Sequence, residues 1–182
     1  MNILIAGVGG QGALLAAKVI GSVVMAKGFD VKVSEIHGMS QRGGSVETYV
    51  RYSKHPICSP IIDKGDADII LGLEALETLR AIGFLKKDGR VVMNTIQINP
   101  MTVILGMATY PENVPGKLAQ MGVDVLSDDF GKEKTTNITM LGAMSKLLEF
   151  SQEDWKDSIK KCVKPDYVDI NLEAFEMGRN LG

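Results

Sequence analysis

The pattern of apolar and polar positions changes period along the chain, and each change marks an element. Asn2-Ile3-Leu4-Ile5-Ala6 is a short apolar run of strand type, and Ala13 to Ala26 is a helix-length run broken only by Lys18 and Ser22. A helix so apolar is expected to be covered nearly all round. Asp30 to Glu35 alternates, and so does Ser45 to Tyr52, where Val46, Thr48, Val50 and Tyr52 share one face. A period of two predicts half-buried strands. Only nine residues, Ile36 to Gly44 with three glycines, join these two strands. A parallel crossover takes roughly a dozen residues or more. The second of the pair is therefore expected to run antiparallel or to leave the main sheet.

Further along, Asp68 to Gly72 reads as a buried strand, Glu74 to Leu85 as a helix with Leu76, Leu79 and Ile82 inward, and Gly89 to Thr95 as a strand. Ile96 to Glu112, with Pro100 and Pro111, is irregular, with one short strand expected at Thr102 to Leu105. Pro115 to Met121 predicts a short helix and Gly122 to Leu126 another strand. The tail is helical: Asn137 to Phe150, a helix opened by Ser151 and Asp154 as a capping pair, and Val168 to Met177 after Pro165. The expectation is one α/β domain over residues 1–182. It is a Rossmann-like doubly wound sheet with an antiparallel excursion and a helical C-terminus.

At 182 residues, 45% hydrophobic and 23% charged, the chain can bury a real core. A formal charge of −2 and 5% aromatic content leave neither a basic footprint nor stacking platforms, so nucleic acid is not an expected partner. The apolar start lacks a basic leader and carries five glycines and Lys18 by Gly21. Neither a signal peptide nor a membrane span is expected, and the cytoplasm is the expected location. The two cysteines, Cys58 and Cys162, form no C-x-x-C pair. An iron–sulfur cluster usually takes four cysteine ligands. Together with His37 and His55 they have no metal-site spacing.

Candidate chemistry gathers at the strand ends. Gly7-Val8-Gly9-Gly10-Gln11-Gly12 is G-x-G-x-x-G between a predicted strand and helix, the context this motif requires. Its glycines permit a tight turn, close approach of a ligand to backbone and close strand–helix packing. The helix N-terminus beyond offers unpaired N–H groups to an anion. The alternative is tight β–α packing with no ligand. Glu35, at the end of the second strand, stands where a dinucleotide fold holds the adenosine ribose, so an NAD-dependent oxidoreductase is one reading. The loop His37-Gly38-Met39-Ser40-Gln41-Arg42-Gly43-Gly44 offers an imidazole, a hydroxyl, an amide and a guanidinium that can bind a carboxylate or phosphate bidentately. Asn94 ends a further strand on the same side. No catalytic triad, nucleophile elbow or carboxylate dyad accompanies them, so no catalytic residue is assigned.

G-V-G-G-Q-G followed by S-E-I-H-G-M-S-Q-R-G-G-S-V resembles the gamma-type domain of 2-oxoacid:ferredoxin oxidoreductases. Within that superfamily the likeness is greatest to the small (beta) subunit of indolepyruvate-type enzymes. It continues through A-D-I-I-L-G-L-E-A-L-E, V-V-M-N-T, N-I-T-M-L-G-A and K-P-D-Y-V-D-I-N-L-E-A-F. The resemblance implies ferredoxin-dependent oxidative decarboxylation of a 2-oxoacid, with coenzyme A taking the acyl group. It implies that thiamine diphosphate and iron–sulfur clusters reside on a large (alpha) partner subunit, which passes electrons to ferredoxin. Gly7, Gly9, Gly10, Gln11, Gly12, His37, Met39, Ser40, Gln41, Arg42, Gly43 and Asn94 would then face the partner's thiamine site or the coenzyme A channel. A non-catalytic assembly subunit that keeps the fold is the remaining alternative.

Overall fold

Strand β1 (Asn2–Val8) runs up the middle of a six-stranded sheet. The computed structural model describes residues 1–38, 43–131 and 134–181. Helix α1 (Ala13–Ala26) leads to β2 (Asp30–His37), which turns back into β3 (Ser45–Ser53). Then follow β4 (Ala67–Gly72), α2 (Ala75–Ala81), β5 (Leu85–Asn94), the single turn α3 (Met101–Ile104), α4 (Val114–Gln120) and β6 (Asp124–Asp128). Helices α5 (Thr136–Ser145), α6 (Gln152–Cys162) and α7 (Val168–Asn180) close the chain. The strand order is β2-β3-β1-β4-β5-β6. Strands β1, β4, β5 and β6 are parallel, and β3 is antiparallel to both of its neighbours. The connection, only seven residues once β2 has run on to His37, does what its length allows, and β3 sits inside the main sheet, between β1 and β2.

Alternation along β1 sorts the layers. Ile3 and Ile5 face a core shared with α1, α5, α6 and α7, while Leu4 and Ala6 face α2 and α4. Helix α1 is fully covered along Ala16, Ala17, Val19, Ile20, Val23 and Val24, as an almost wholly apolar run must be. The expected capping pair is present: the Ser151 hydroxyl accepts from the Asp154 amide at 3.2 Å, and the Asp154 carboxylate accepts from the Ser151 amide at 3.1 Å. The hydrogen bond from Ser151 holds the Asp154 carboxyl below the usual carboxylate range, and the Lys27 ammonium at 2.9 Å adds to the effect.

Three expectations are corrected. Thr102 to Leu105 is not a strand. Pro100 caps a helical turn in which the Leu105 N–H donates to Met101 O at 2.9 Å, and β6 already occupies the open side of β5. The α-helix α2 ends at Ala81 and a 3-10 turn carries on over Ile82–Phe84; Leu79 and Ile82 do pack against the core, half-buried, but the fully buried face is Ala75, Glu77, Thr78 and Ala81. Small residues win that face because the helix lies close on β4: a Cβ on Gly72 would stand 1.8 Å from the Thr78 hydroxyl. Helix α5 stops at Ser145, not Phe150, where the Ser145 hydroxyl folds back onto the Gly142 carbonyl at 2.6 Å.

Helices α5 and α7 cross backbone against backbone. A Cβ on Gly178 would lie 1.7 Å from the Thr139 carbonyl, and one on Gly142 would lie 2.1 Å from the Phe175 carbonyl. Main chain cannot step aside as a side chain can. Gly178→Ala is therefore expected to lower stability by at least about 2 kcal/mol, a fall of roughly 5 °C or more in Tm. Gly21→Ala, in α1 with nothing within 4 Å of the added carbon, is expected to be neutral or stabilising by up to ~1 kcal/mol. Parallel thermal melts followed by circular dichroism check both, and equal Tm values for the two variants would refute the close crossing.

Candidate functional site

The parallel strands end on one side of the sheet, and the crevice of an open α/β sheet lies there. The turn after β1 closes with the Gln11 amide on Val8 O at 3.1 Å, and it needs left-handed backbone at Gly10 (φ +102°) and Gly12 (φ +80°). Gly7 and Gly12 are glycine for packing. A Cβ at Gly7 would be 2.8 Å from Gln11 Oε1, and one at Gly12 would be 2.5 Å from Asn137 Nδ2. Gln11 does not reach outward. Its Oε1 accepts from the Val8 amide at 2.7 Å, and its Nε2 donates to Leu73 O at 3.0 Å, which ties the turn to the β4–α2 connection.

The turn meets the β2–β3 loop through backbone. The Gly9 N–H donates to Gly44 O at 2.9 Å, and the Gly43 N–H approaches Gly9 O at 3.5 Å. The two segments singled out in the sequence are thus joined. The base of the loop is fixed further by the Ser45 hydroxyl, which donates to the buried Glu77 carboxylate at 2.6 Å; Arg80 pairs with its other oxygen at 2.7 Å. Met39, Ser40, Gln41 and Arg42 lie outside the described residues.

Cavities open on both sides of Gly10 and Gly12. One, of about 400 Å³, is lined by Glu35, His37, Val46 and Leu14 as well as the turn. The Glu35 carboxylate there accepts from the Thr48 hydroxyl at 3.1 Å, and His37 Nδ1 lies 2.9 Å from the Gly38 carbonyl. The other, of about 330 Å³, has an apolar wall of Leu15, Leu73, Ile96 and Ile98. Its polar wall is Gln11, Lys134, Thr136 and Asn137, at the N-terminus of α5. Asn137 is 2% exposed and donates from Nδ2 to Gly12 O at 3.0 Å; its Oδ1 and the Thr136 hydroxyl have no partner among the described residues. The two cavities differ in charge, one bordered by a carboxylate and the other by an ammonium.

Asn94 lines neither cavity. It is fully buried, accepting from the Ile96 and Phe130 amides at 3.3 Å and donating to Gly131 O at 2.9 Å, so it braces the floor of the crevice. Residues unmarked in the sequence build more of the site. Thr135-Thr136-Asn137 opens α5, and a polar string before an apolar run is the signal that could have pointed there. Buried Glu74 accepts from Ile98 N and Glu77 N, both at 2.9 Å, and from the Tyr110 hydroxyl, which in turn accepts from Leu76 N at 2.9 Å. Burial, and then the hydrogen bond to Glu74, push the Tyr110 phenol upward, which keeps it a neutral donor.

The chain's cysteines do not fit an iron–sulfur cluster: Cys58 is exposed, while the Cys162 thiol lies 3.7 Å from Lys18 O on α1. No three His, Cys, Asp or Glu side chains among the described residues stand close enough to hold a metal. No helix among them is long and apolar enough to cross a membrane.

Residues 2–181 match the family model described as pyruvate ferredoxin/flavodoxin oxidoreductase. The chain is 41% identical over 189 residues to indolepyruvate oxidoreductase subunit IorB of Thermococcus kodakarensis, covering 97% of this chain and 93% of that one. It is 26% identical to the pyruvate/ketoisovalerate oxidoreductases common subunit gamma of Thermococcus litoralis, covering 93% and 92%. Among solved structures, the gamma subunit of a keto/oxoacid ferredoxin oxidoreductase from Geobacter sulfurreducens has the same fold, with a TM-score of 0.71 at 23% identity and 98% and 96% of the two chains covered. The 2-oxoglutarate:ferredoxin oxidoreductase of Magnetococcus marinus, with 2-oxoglutarate, coenzyme A and succinyl-CoA bound, has it too, at a TM-score of 0.77 and 19% identity. All of this chain aligns there with 30% of a longer one. A family match over nearly every residue, and a relative this similar end to end, make this chain a member of the pyruvate ferredoxin/flavodoxin oxidoreductase family, a small subunit of a 2-oxoacid:ferredoxin oxidoreductase.

Proposed function

We propose that this subunit serves an enzyme that oxidatively decarboxylates arylpyruvates such as indolepyruvate, and that its crevice receives coenzyme A. The reaction takes a 2-oxoacid, coenzyme A and two oxidised ferredoxins to an acyl-CoA, carbon dioxide, a proton and two reduced ferredoxins. Thiamine diphosphate, which stabilises the carbanion left by decarboxylation, and the iron–sulfur clusters that carry single electrons would sit on a larger subunit. This chain's own donor set has no place for a cluster. The arylpyruvate assignment rests on identity: 33–41% to indolepyruvate oxidoreductase subunits against 26–29% to the pyruvate and ketoisovalerate ones. Such an enzyme works in the cytoplasm, beside its coenzyme A and ferredoxin.

One observation carries the coenzyme A reading: the cavity between Gly10–Gly12 and α5 joins Lys134 and a helix N-terminus to an apolar wall of Leu73, Ile96 and Ile98. A diphosphate suits the first pair and an aliphatic arm the second. Glu35 makes the neighbouring cavity unsuited to a phosphate. Arg42, from the same loop as Gly43 and Gly44, supplies a second anion donor in this reading.

The whole assignment is tested by assaying arylpyruvate-dependent ferredoxin reduction. The large subunit alone is expected to give less than about a hundredth of the turnover of the complex, since a missing wall misplaces the acyl acceptor. Full activity without this chain would overturn the proposal. Lys134→Ala tests the anion site. The exposed side chain should leave stability unchanged, while KM for coenzyme A rises about tenfold, the worth of one charge-assisted contact, and KM for the arylpyruvate stays put. An unchanged KM for coenzyme A would remove Lys134 from the site.

A further inference from the structure

Between β5 and α4 the chain makes an excursion that the packing of the domain does not explain. Residues 96–111 carry no charged side chain. Within seven of these residues Met101 is 64% exposed, Ile104 63%, Leu105 64% and Met107 76%. Met101, Ile104 and Leu105 follow i, i+3, i+4 spacing on α3, so they share a face. Ile98, a third exposed, joins this face to the Lys134 cavity that it also lines.

The excursion is held firmly. The Ala75 amide donates to Ile96 O at 3.1 Å, and the Ile98 amide and the Tyr110 hydroxyl both donate to Oε1 of the buried Glu74 carboxylate, whose Oε2 accepts from the Glu77 amide. Val114 and Leu118 of α4 then return the chain to the core. A buried carboxylate with every bond satisfied is a rigid anchor. Here it fixes a loop whose large side chains point at water, the reverse of what burial favours. Together they form an apolar patch on the order of 500 Å², at the upper end of what a monomer surface leaves contiguous. That is well over half of one partner's share of a standard interface of roughly 800 Å².

We propose that residues 98–107 are the docking ridge for the larger subunit of the enzyme, and that they seat it over the mouth of the coenzyme A cavity. The inference rests on the functional reading above and names its interface. Two observations select the larger subunit over a second copy of this chain. Ile98 makes the ridge continuous with a crevice whose remaining wall and whose redox groups must come from elsewhere. In the 2-oxoglutarate enzyme the same fold makes up 30% of a longer chain, so its surface there adjoins a larger body.

The test uses the co-expressed complex, captured through a tag on the large subunit and then diluted while turnover and bound small subunit are followed. Ile104→Glu with Met107→Glu should raise the concentration at which the complex half-dissociates by at least about 30-fold, as expected for charges placed in an interface centre. Turnover should return toward the wild-type value when excess variant chain is added, which separates lost docking from lost chemistry. Met25→Glu, 59% exposed on the far end of α1, is the matched control and should leave the midpoint unchanged. Leu105→Ala, which adds no charge, should shift the midpoint in the same direction by a smaller factor. An unchanged midpoint in the double variant would overturn the ridge while leaving the functional reading intact. A normal complex together with a lost homodimer of the small chain would assign the ridge to a second copy instead and overturn the proposal. Failure of the wild-type chains to associate at all would sink the functional reading itself.

Discussion

The contact between Gly9 and Gly44 sets the geometry of the whole crevice. It exists because β3 runs antiparallel beside β1, so that β3 begins where β1 ends, with Val8 opposite Ser45. Two connections that would be a strand apart in an ordinary doubly wound fold are thereby brought to the same spot. Gly43 takes left-handed backbone there (φ +76°), which favours glycine. The same insertion moves β2 one strand further from β1, and Glu35 goes with it. The acid that would hold an adenosine ribose next to the glycine turn in a dinucleotide fold instead borders a separate cavity and bonds Thr48. One extra strand thus removes the nucleotide geometry and produces a ridge with a cavity on either flank.

Much of this could be read from residues whose pattern is local. Nine residues between two alternating runs excluded a helical crossover, and an apolar run of fourteen residues announced a helix buried on most sides. What escaped depends on close approach, which sequence period does not record. The inner face of α2 carries Thr78 in place of a leucine because Gly72 lets the helix sink onto β4, and Gly142 and Gly178 are legible only once α5 and α7 are known to cross. The polar groups of the site escaped for a related reason. Asn94 stands at a strand end, where crevice residues gather, yet its amide is directed beneath the crevice to Ile96, Phe130 and Gly131. Asn137 is more than a hundred residues from Gly12, whose carbonyl it binds, and no spacing rule connects them.

Four polar side chains around the crevice share one task. Gln11 ties the glycine turn to Leu73, Glu77 ties β3 to α2, Glu74 ties the excursion after β5 to the same helix, and Asn137 ties α5 to α1. Each sits at the end of an element and fastens a connection, not a hydrophobic interior. A carboxylate in such a place costs desolvation, which is recovered only when its oxygens are fully bonded. Glu74 meets that condition with three donors and Glu77 with Ser45 and Arg80, so the start of β3, the entry to α2 and the excursion after β5 are fastened to one another by buried bonds.

That rigidity bears on how such a subunit would meet a partner. A surface that must order itself on binding loses roughly 0.5–1.5 kcal/mol for each side chain it immobilises. Connections already fixed by buried hydrogen bonds, such as those that Glu74 and Glu77 hold, lose little. The same fixing sets direction: Lys134 and the α5 N-terminus lie on one flank of the Gly10–Gly12 ridge and Glu35 on the other. An anion meeting the ridge is drawn to one side and repelled from the other, and the apolar wall of Ile96 and Ile98 continues from the favoured side toward the uncovered ridge of α3. A coenzyme A in the proposed pose would meet charge at one end and apolar surface along its length before any second protein arrived. In that reading the partner would have only to close a channel whose polarity this chain's side chains set.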